Sequence, residues 1–221
     1  MEVKQLHNWD VSTEEAMAIQ KRLAAQIDDG NGIGKPSLIA GVDVSGANAE
    51  GIARAAILML DYPGLNPIDT IIVEDVIRFP YVPGLLSFRE MPLLIKAFEK
   101  LEVVPDLVMV DGQGIAHPRR LGLASHLGLF LNIPTIGCAK SRLVGTHGEL
   151  PYEAGSWTEL FDGNEIIGAI VRTKVKTNPI YVSVGHKISL PKAIYWTLHC
   201  CKKYRLPEPT RLAHQAASKK A

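Results

Sequence analysis

The sequence predicts an α/β fold in which a mixed sheet, a three-stranded antiparallel meander joined to parallel strands, is flanked by helices. Three observations carry that expectation. Three β-favouring runs, SLIAGVDVS (37–45), IARAAILML (52–60) and IDTIIVEDVIRF (68–79), follow one another across connections short enough for antiparallel hairpins. Helical and strand-like stretches then alternate, the order that builds parallel pairs through crossover helices. The segment DLVMVDG (106–112) contains a short apolar run, Leu107 to Val110, which suits a buried parallel strand and is too short for a helix. Asp111 then stands at the carboxyl end of that strand, where sheets of this class carry their ligands.

The remaining elements follow in order. Ser12 and Glu15 form a capping-box pattern ahead of Ala16, Ile19, Leu23 and Ile27, an amphipathic helix that ends in the turn-rich DDGNGIGKP. GNGIG within that turn is a weak glycine match that precedes a strand, so it reads as a loop and not as a nucleotide cradle. After the meander come a helix from about Ser87 to Leu101, the Asp111 strand, a helix around 121–131 and a short strand near Pro134–Gly137. Two more strand candidates (165–171, 180–185), an apolar-faced helix at 191–205 and a short helical tail complete the chain.

Bulk properties narrow the function classes. A chain of 221 residues with 47% hydrophobic content can bury one full core, so residues 1–221 are expected to form a single domain. No apolar run approaches the ~20 residues a membrane span needs, and the amino terminus lacks the basic-then-apolar order of a signal peptide. Cys138, Cys200 and Cys201 are odd in number and lack metal-ligand spacing, which suits reduced thiols; a cytoplasmic monomer is expected. The net charge of +1 hides a polarity: residues 1–111 hold 9 Lys+Arg against 17 Asp+Glu, residues 112–221 hold 15 against 6. Such an arrangement suits metal-binding acids beside a surface that accepts a polyanion, and equally suits ordinary charge complementarity within one domain.

The chemistry-bearing residues sit on predicted element ends. Asp43 lies inside the apolar stretch Ile39–Val44, where an unpaired carboxylate is costly and calls for a metal, a cation or several donors. Glu90 follows Ser87 by three residues, so it reads either as a metal ligand or as half of a helix cap. Asp111 opens DGQGIAHPRRLG, a loop with Gly112, Gly114 and Gly122 for close backbone approach and with His117, Arg119 and Arg120 able to face phosphate oxygens. A meander followed by helix–strand–helix–strand, with acids on the first strand, the next helix and the next parallel strand, resembles the ribonuclease H-like nuclease fold. Asp43, Glu90 and Asp111 occupy those three places. Hard oxygen donors of this kind suit Mg²⁺, with Mn²⁺ able to substitute, and offer nothing soft enough to select zinc. Asp106 begins the strand that Asp111 ends, roughly 16 Å away, and is expected to be structural.

FPYVPGLLSFRE, read with GVDVS, VDGQGIAHPRRLGLASHLGL, PTIGCAKSRL and PEPTRLAHQAA, closely resembles the endonuclease V family across nearly the whole chain. Gly46 departs from the aromatic residue often found there. The resemblance implies an Mg²⁺-dependent DNA-repair hydrolase that cleaves the second phosphodiester bond 3′ to deoxyinosine, leaving a 3′-hydroxyl and a 5′-phosphate. It implies catalytic roles for Asp43, Glu90, Asp111, Lys140 and His214, the three acids holding the metal. Pro80, Tyr81, Val82 and Pro83 form a stiff segment suited to wedge into a base stack. Gly84, Leu85, Gly112, Gly114, Gly122 and Leu143 are the expected base pocket, and His117, Arg119, Arg120, Lys140 and Arg142 the expected phosphate contacts. His126, His147, His186 and His199 read as structural. Two alternatives stay open: an inosine-directed or ribonuclease H-type endoribonuclease, for which 2′-hydroxyl contacts would decide, and a non-cleaving inosine-binding module, which would be expected to lack one of the three acids.

Overall fold

The computed structural model of the protein describes residues 1–30 and 32–218. Its centre is a mixed sheet of nine strands among the described residues: β1 (Leu38–Val44), β2 (Ile52–Asp61), β3 (Pro67–Val76), β4 (Leu107–Val110), β5 (Thr135–Ala139), β6 (Thr146–His147), β7 (Trp157–Asp162), β8 (Glu165–Val171) and β9 (Ile180–His186). They lie side by side in the order β3-β2-β1-β4-β5-β9-β8-β7-β6. β1, β2 and β3 are the antiparallel meander, β4 and β5 extend β1 in parallel, and β9 returns antiparallel to β5.

Among the described residues α1 (Thr13–Ala24) packs on the outside, its Ala16 against Phe88 and its Leu23 against Leu129, while α2 (Leu86–Glu99), α3 (Leu123–Leu131), α4 (Leu190–His199) and α5 (Glu208–Ser218) cover the sheet. Strand alternation divides the core between the faces. Ala40, Val42, Val108 and Val110 pack under α2 and α3 with Phe98 and Phe130, whereas Ile39, Leu107 and Met109 pack with Trp196 of α4 and Ala213 of α5. Burying a side chain as large as Phe98 or Phe130 contributes roughly 1.5–3 kcal/mol over leaving it exposed.

The N-terminal cap forms as its sequence requires. Ser12 Oγ accepts from Glu15 N and Glu15 Oε2 from Ser12 N, closing the capping box of α1. That helix stops at Ala24, short of Ile27, and β3 stops at Val76. The helix expected over 191–205 ends at His199; beyond it the chain turns irregularly to present Arg205 to three carbonyls. β6 and β7 are strands without counterpart in the periodicity, held by the β7–β8 hairpin. Of the weak glycine stretch GNGIG, Asn31 lies outside the described residues, and its described neighbours belong to no helix or strand. No helix among the described residues is long and apolar enough to cross a membrane.

Candidate active site

Sheet register brings the first two acids together. Val42 and Val110 are partners in the parallel β1–β4 ladder, so Asp43 and Asp111 each follow a paired residue, and Asp111 N donates to Val42 O at 3.2 Å. Alternation turns both carboxylates to the face that carries α5. There His214 Nδ1 meets Asp43 Oδ2 at 2.6 Å. The helix comes that close because position 41 has no side chain: a Cβ on Gly41 would stand 1.9 Å from Pro209 O, at the start of α5. Lys140, the residue after β5, ion-pairs with Asp111 Oδ2 and lies 3.4 Å from His214 Nδ1.

Glu90 approaches from α2, on the other face. The cap reading of this residue fails, because α2 begins at Leu86 with no side-chain cap bond, and Ser87, already inside the helix, directs Oγ to His126 Nδ1 at 3.0 Å. Burial, then the charges of Asp43 and Asp111, push the Glu90 carboxyl up to about 8. Asp43 is likewise raised, first by burial and then by Asp111, with the His214 hydrogen bond opposing. Ligand atoms of Asp43, Asp111 and His214 lie within 4.8 Å of one another, a group that could hold a metal ion. Asp111 Oδ2 is buried and receives no well-aligned hydrogen bond, only the Lys140 ion pair. Repelling carboxylates with an under-satisfied oxygen fit a divalent cation, and the donor set is hard oxygen with one imidazole.

Beside the acids opens a cleft of about 390 Å³, within the range of small-ligand sites. Of the expected pocket residues Gly84, Gly112, Gly122 and Leu143 line it, with Tyr81, Val82 and Pro83. Leu85 and Gly114 do not. Leu85 is fully buried with Ala16, Phe79 and Phe88, where it anchors the segment, and Gly114 is packed inside the fold, where a Cβ would stand 2.0 Å from Val184 O. Pro80, Tyr81, Val82 and Pro83 lie between two buried anchors, Phe79 and Leu85, and Tyr81 projects 72% exposed.

Three of the five expected phosphate contacts are engaged inside the protein. His117 is 3% exposed; its Nε2 donates to Gly84 O at 2.9 Å and its Nδ1 accepts from Arg119 N at 3.1 Å. Burial and the neighbouring arginines push its pKa down to about 4, so it is neutral and offers no charge to a phosphate. Arg119 donates to Gly84 O and to Gln20 Oε1. Arg120, at φ 57°, pairs with Asp162 and Glu165. Lys140 stands among the acids and Arg142 is exposed beside the cleft. Asp106 stays at the far end of β4, its Oδ2 accepting from Ser37 N and Leu38 N.

Sequence reasoning missed several positioning groups. Gln20 donates to Gly84 O and Leu121 O, so that with His117 and Arg119 three side chains converge on the Gly84 carbonyl. Its signal was present: Gln20 falls on the buried stripe Ala16–Gln20–Leu23, a polar residue at a core position. Arg205, which grips Lys140 O at 2.6 Å and Pro179 O at 2.9 Å, had no local signal.

Comparison with known proteins gives one consistent result. The family model described as endonuclease V matches residues 21–215. An endonuclease V of Dehalococcoides mccartyi is 51% identical over 218 residues, covering 99% of this chain and 98% of its own. The crystal structure of the Bacillus subtilis endonuclease V superposes with a TM-score of 0.93 at 31% identity, covering 98% of this chain and 95% of that one. An endonuclease V variant from Ciona intestinalis, solved with a 23mer DNA containing an inosine followed by a ribo-adenosine, superposes with a TM-score of 0.82 at 27% identity, covering 94% of this chain and 97% of that one.

Proposed function

Because the chain belongs to the endonuclease V family, we propose that it is a repair endonuclease that cleaves the second phosphodiester bond 3′ to deoxyinosine in DNA, leaving a 3′-hydroxyl and a 5′-phosphate. The observation that carries this reading is the juxtaposition of Asp43 and Asp111 on neighbouring parallel strands, with Glu90 beside them, at the edge of a base-sized cleft. It acts on this reading as a cytoplasmic, single-domain monomer, with inosine-bearing DNA as its partner; the inosine-bearing DNA in the Ciona complex supports that substrate.

Asp43 and Asp111, with His214 beside them, would hold a Mg²⁺ ion, replaceable by Mn²⁺, and Glu90, outside that close group but within the field of both aspartates, would complete its acid set. Such an ion supplies charge neutralisation at the scissile phosphate and an activated water. The chain's own groups do the positioning. Lys140, fixed by Arg205 at its carbonyl, sets its ammonium against Asp111, where it can meet a phosphate oxygen near the cut. The His214 hydrogen bond fixes which way the Asp43 carboxylate faces. Tyr81, held out between buried anchors, fills the stack after the lesion base turns into the cleft. Arg142 adds a screened contact to the backbone.

The test is a matched panel of end-labelled DNA and RNA oligonucleotides, each with one inosine or one adenosine at the same position, incubated with Mg²⁺ or with chelator. Mg²⁺-dependent cutting of the inosine DNA, displaced one linkage beyond the lesion's own 3′ phosphate, is expected. Equal cutting of adenosine strands, or cutting in chelator, sinks the proposal, and faster cutting of the RNA strand would move the substrate class.

A further inference from the structure

A file of hydrogen bonds runs from the N-terminal segment to the cleft wall. His7 Nδ1 lies 2.7 Å from Asn8 O, His7 Nε2 lies 2.8 Å from His126 Nε2, and His126 Nδ1 lies 3.0 Å from Ser87 Oγ. Ser87 lines the cleft beside Gly84 and Leu86. His126 is fully buried among Trp9, Phe88 and Phe130, and desolvation keeps it and His7 neutral at pH 7.

With both rings neutral, the direction of every bond in this file is forced. A carbonyl only accepts, so His7 carries its proton on Nδ1 and its Nε2 accepts. His126 must then donate from Nε2, which leaves its Nδ1 as an acceptor. Ser87 must fill that acceptor with its hydroxyl proton. Ser87, a lining residue of the cleft, therefore has only lone pairs left to offer a further partner, and turning its proton away would strand a buried ring nitrogen.

We propose that Ser87 is a specificity-determining residue, an obligate acceptor that reads the ring N1–H of the base in the cleft, its polarity fixed from behind by His126 and His7. Hypoxanthine carries a donor at N1 and adenine an acceptor, so the relay admits the first and repels the second. Guanine also carries N1–H, so Ser87 does not exclude it; that discrimination must come from other groups. The inference rests on the reading of the cleft as a base pocket.

The test measures dissociation constants in Ca²⁺ for single-stranded oligonucleotides bearing hypoxanthine, guanine, adenine or unsubstituted purine at one position. Ser87→Ala should weaken hypoxanthine and guanine strands about tenfold to a hundredfold and leave adenine and purine strands unchanged or tighter. His7→Phe, which leaves the cleft lining intact, frees the hydroxyl to turn, so adenine should gain several-fold relative to hypoxanthine. Uniform weakening of all four strands by Ser87→Ala would mean packing only and would overturn the proposal. Should Ser87→Ala fail to give a cooperative melt, His7→Phe decides alone, an unchanged adenine-to-hypoxanthine ratio overturning it. Wild-type protein that binds all four strands alike would overturn the base-pocket reading itself.

Discussion

Asp111 at its strand end and the basic loop that follows it are near neighbours in sequence and meet opposite fates in the fold. Asp43 and Asp111 are delivered by a regular ladder: once Val42 pairs with Val110, the next residue of each strand is fixed in place and in face. His117, Arg119 and Arg120 sit in an irregular loop, and their side chains go wherever the strongest partner stands. Those partners are remote in sequence: Gly84 and Gln20 for Arg119, Asp162 and Glu165 for Arg120. The basic charge that looks available to a phosphate in the sequence is used to stake the loop behind Tyr81 and to tie the β7–β8 hairpin to the site. Charge in a loop thus says little about which side of the protein it faces; charge at a strand end says a great deal.

The largest effect should come from breaking the strand-end side of this comparison. Asp43→Ala or Asp111→Ala is expected to reduce inosine-directed cutting by at least about a thousandfold, since each removes a hard oxygen ligand, while Ca²⁺-supported binding of inosine DNA survives. Glu90→Gln should be comparably severe. Near-normal Mg²⁺-dependent turnover in either aspartate variant would remove these residues from the chemistry and return the register to a matter of packing.

Legibility of the site follows the same division. GVDVS and VMVDG could be read because short apolar runs, buried almost throughout, fix a strand and its end. Ser87 and Glu90 looked like a cap because three-residue spacing suits one; only the actual start of α2 at Leu86 separates the readings. The expected pocket included Leu85 and Gly114 because glycines and flanking leucines look alike whether they face a ligand or another backbone. α4 was expected to be longer because Cys200–Arg205 continues an apolar and basic pattern, whereas Arg205 is required by carbonyls of Asn178, Pro179 and Lys140 on other segments. β7 escaped notice because its burial hardly alternates.

Tyr81 sharpens the comparison, since the staked loop exists on this reading to hold it out. Tyr81→Ala should lose stacking of ~1–3 kcal/mol on duplex inosine DNA, with a smaller penalty on single strands, which need no unpairing. Paired dissociation constants in Ca²⁺ for the two substrate forms measure this. Equal, negligible losses would make Tyr81 an ordinary exposed loop residue.

The loop side can be broken without touching the acids. His117 has a folded pKa of about 4 against 6.5 unfolded, so the unfolded chain binds more protons between those values. Its contribution to stability is complete above about pH 6.5 and falls away as the pH drops towards 4, by about 3 kcal/mol in all. Replacing it by Asn should flatten the acid side of the stability curve in denaturant melts at pH 7, 5.5 and 4.5. Arg120→Met should cost about 1 kcal/mol of stability, since its pairs with the partly exposed Asp162 and Glu165 form one network and its Nη1 also donates to His117 O. It should leave the salt dependence of DNA binding as it was; a reduced slope would mean that Arg120 meets phosphate after all.

Arg142 gives the smallest expected change and the cleanest contrast with Arg120. It is exposed at the mouth of the cleft. An exposed arginine that contacts one phosphate contributes through counterion release, so Arg142→Ala should weaken binding uniformly across sequences and lower the slope of log K against log salt by about one. Stability should stay within about 0.5 kcal/mol of wild type, because no packed network is lost. The two arginines therefore predict crossed outcomes, stability without salt slope for Arg120 and salt slope without stability for Arg142. Titrating both variants over 50 to 200 mM salt, alongside a denaturant melt, checks the pair. If both move the slope, the loop faces the DNA together with Arg142, and the distinction between strand-end and loop charge fails at the point where it is most easily measured.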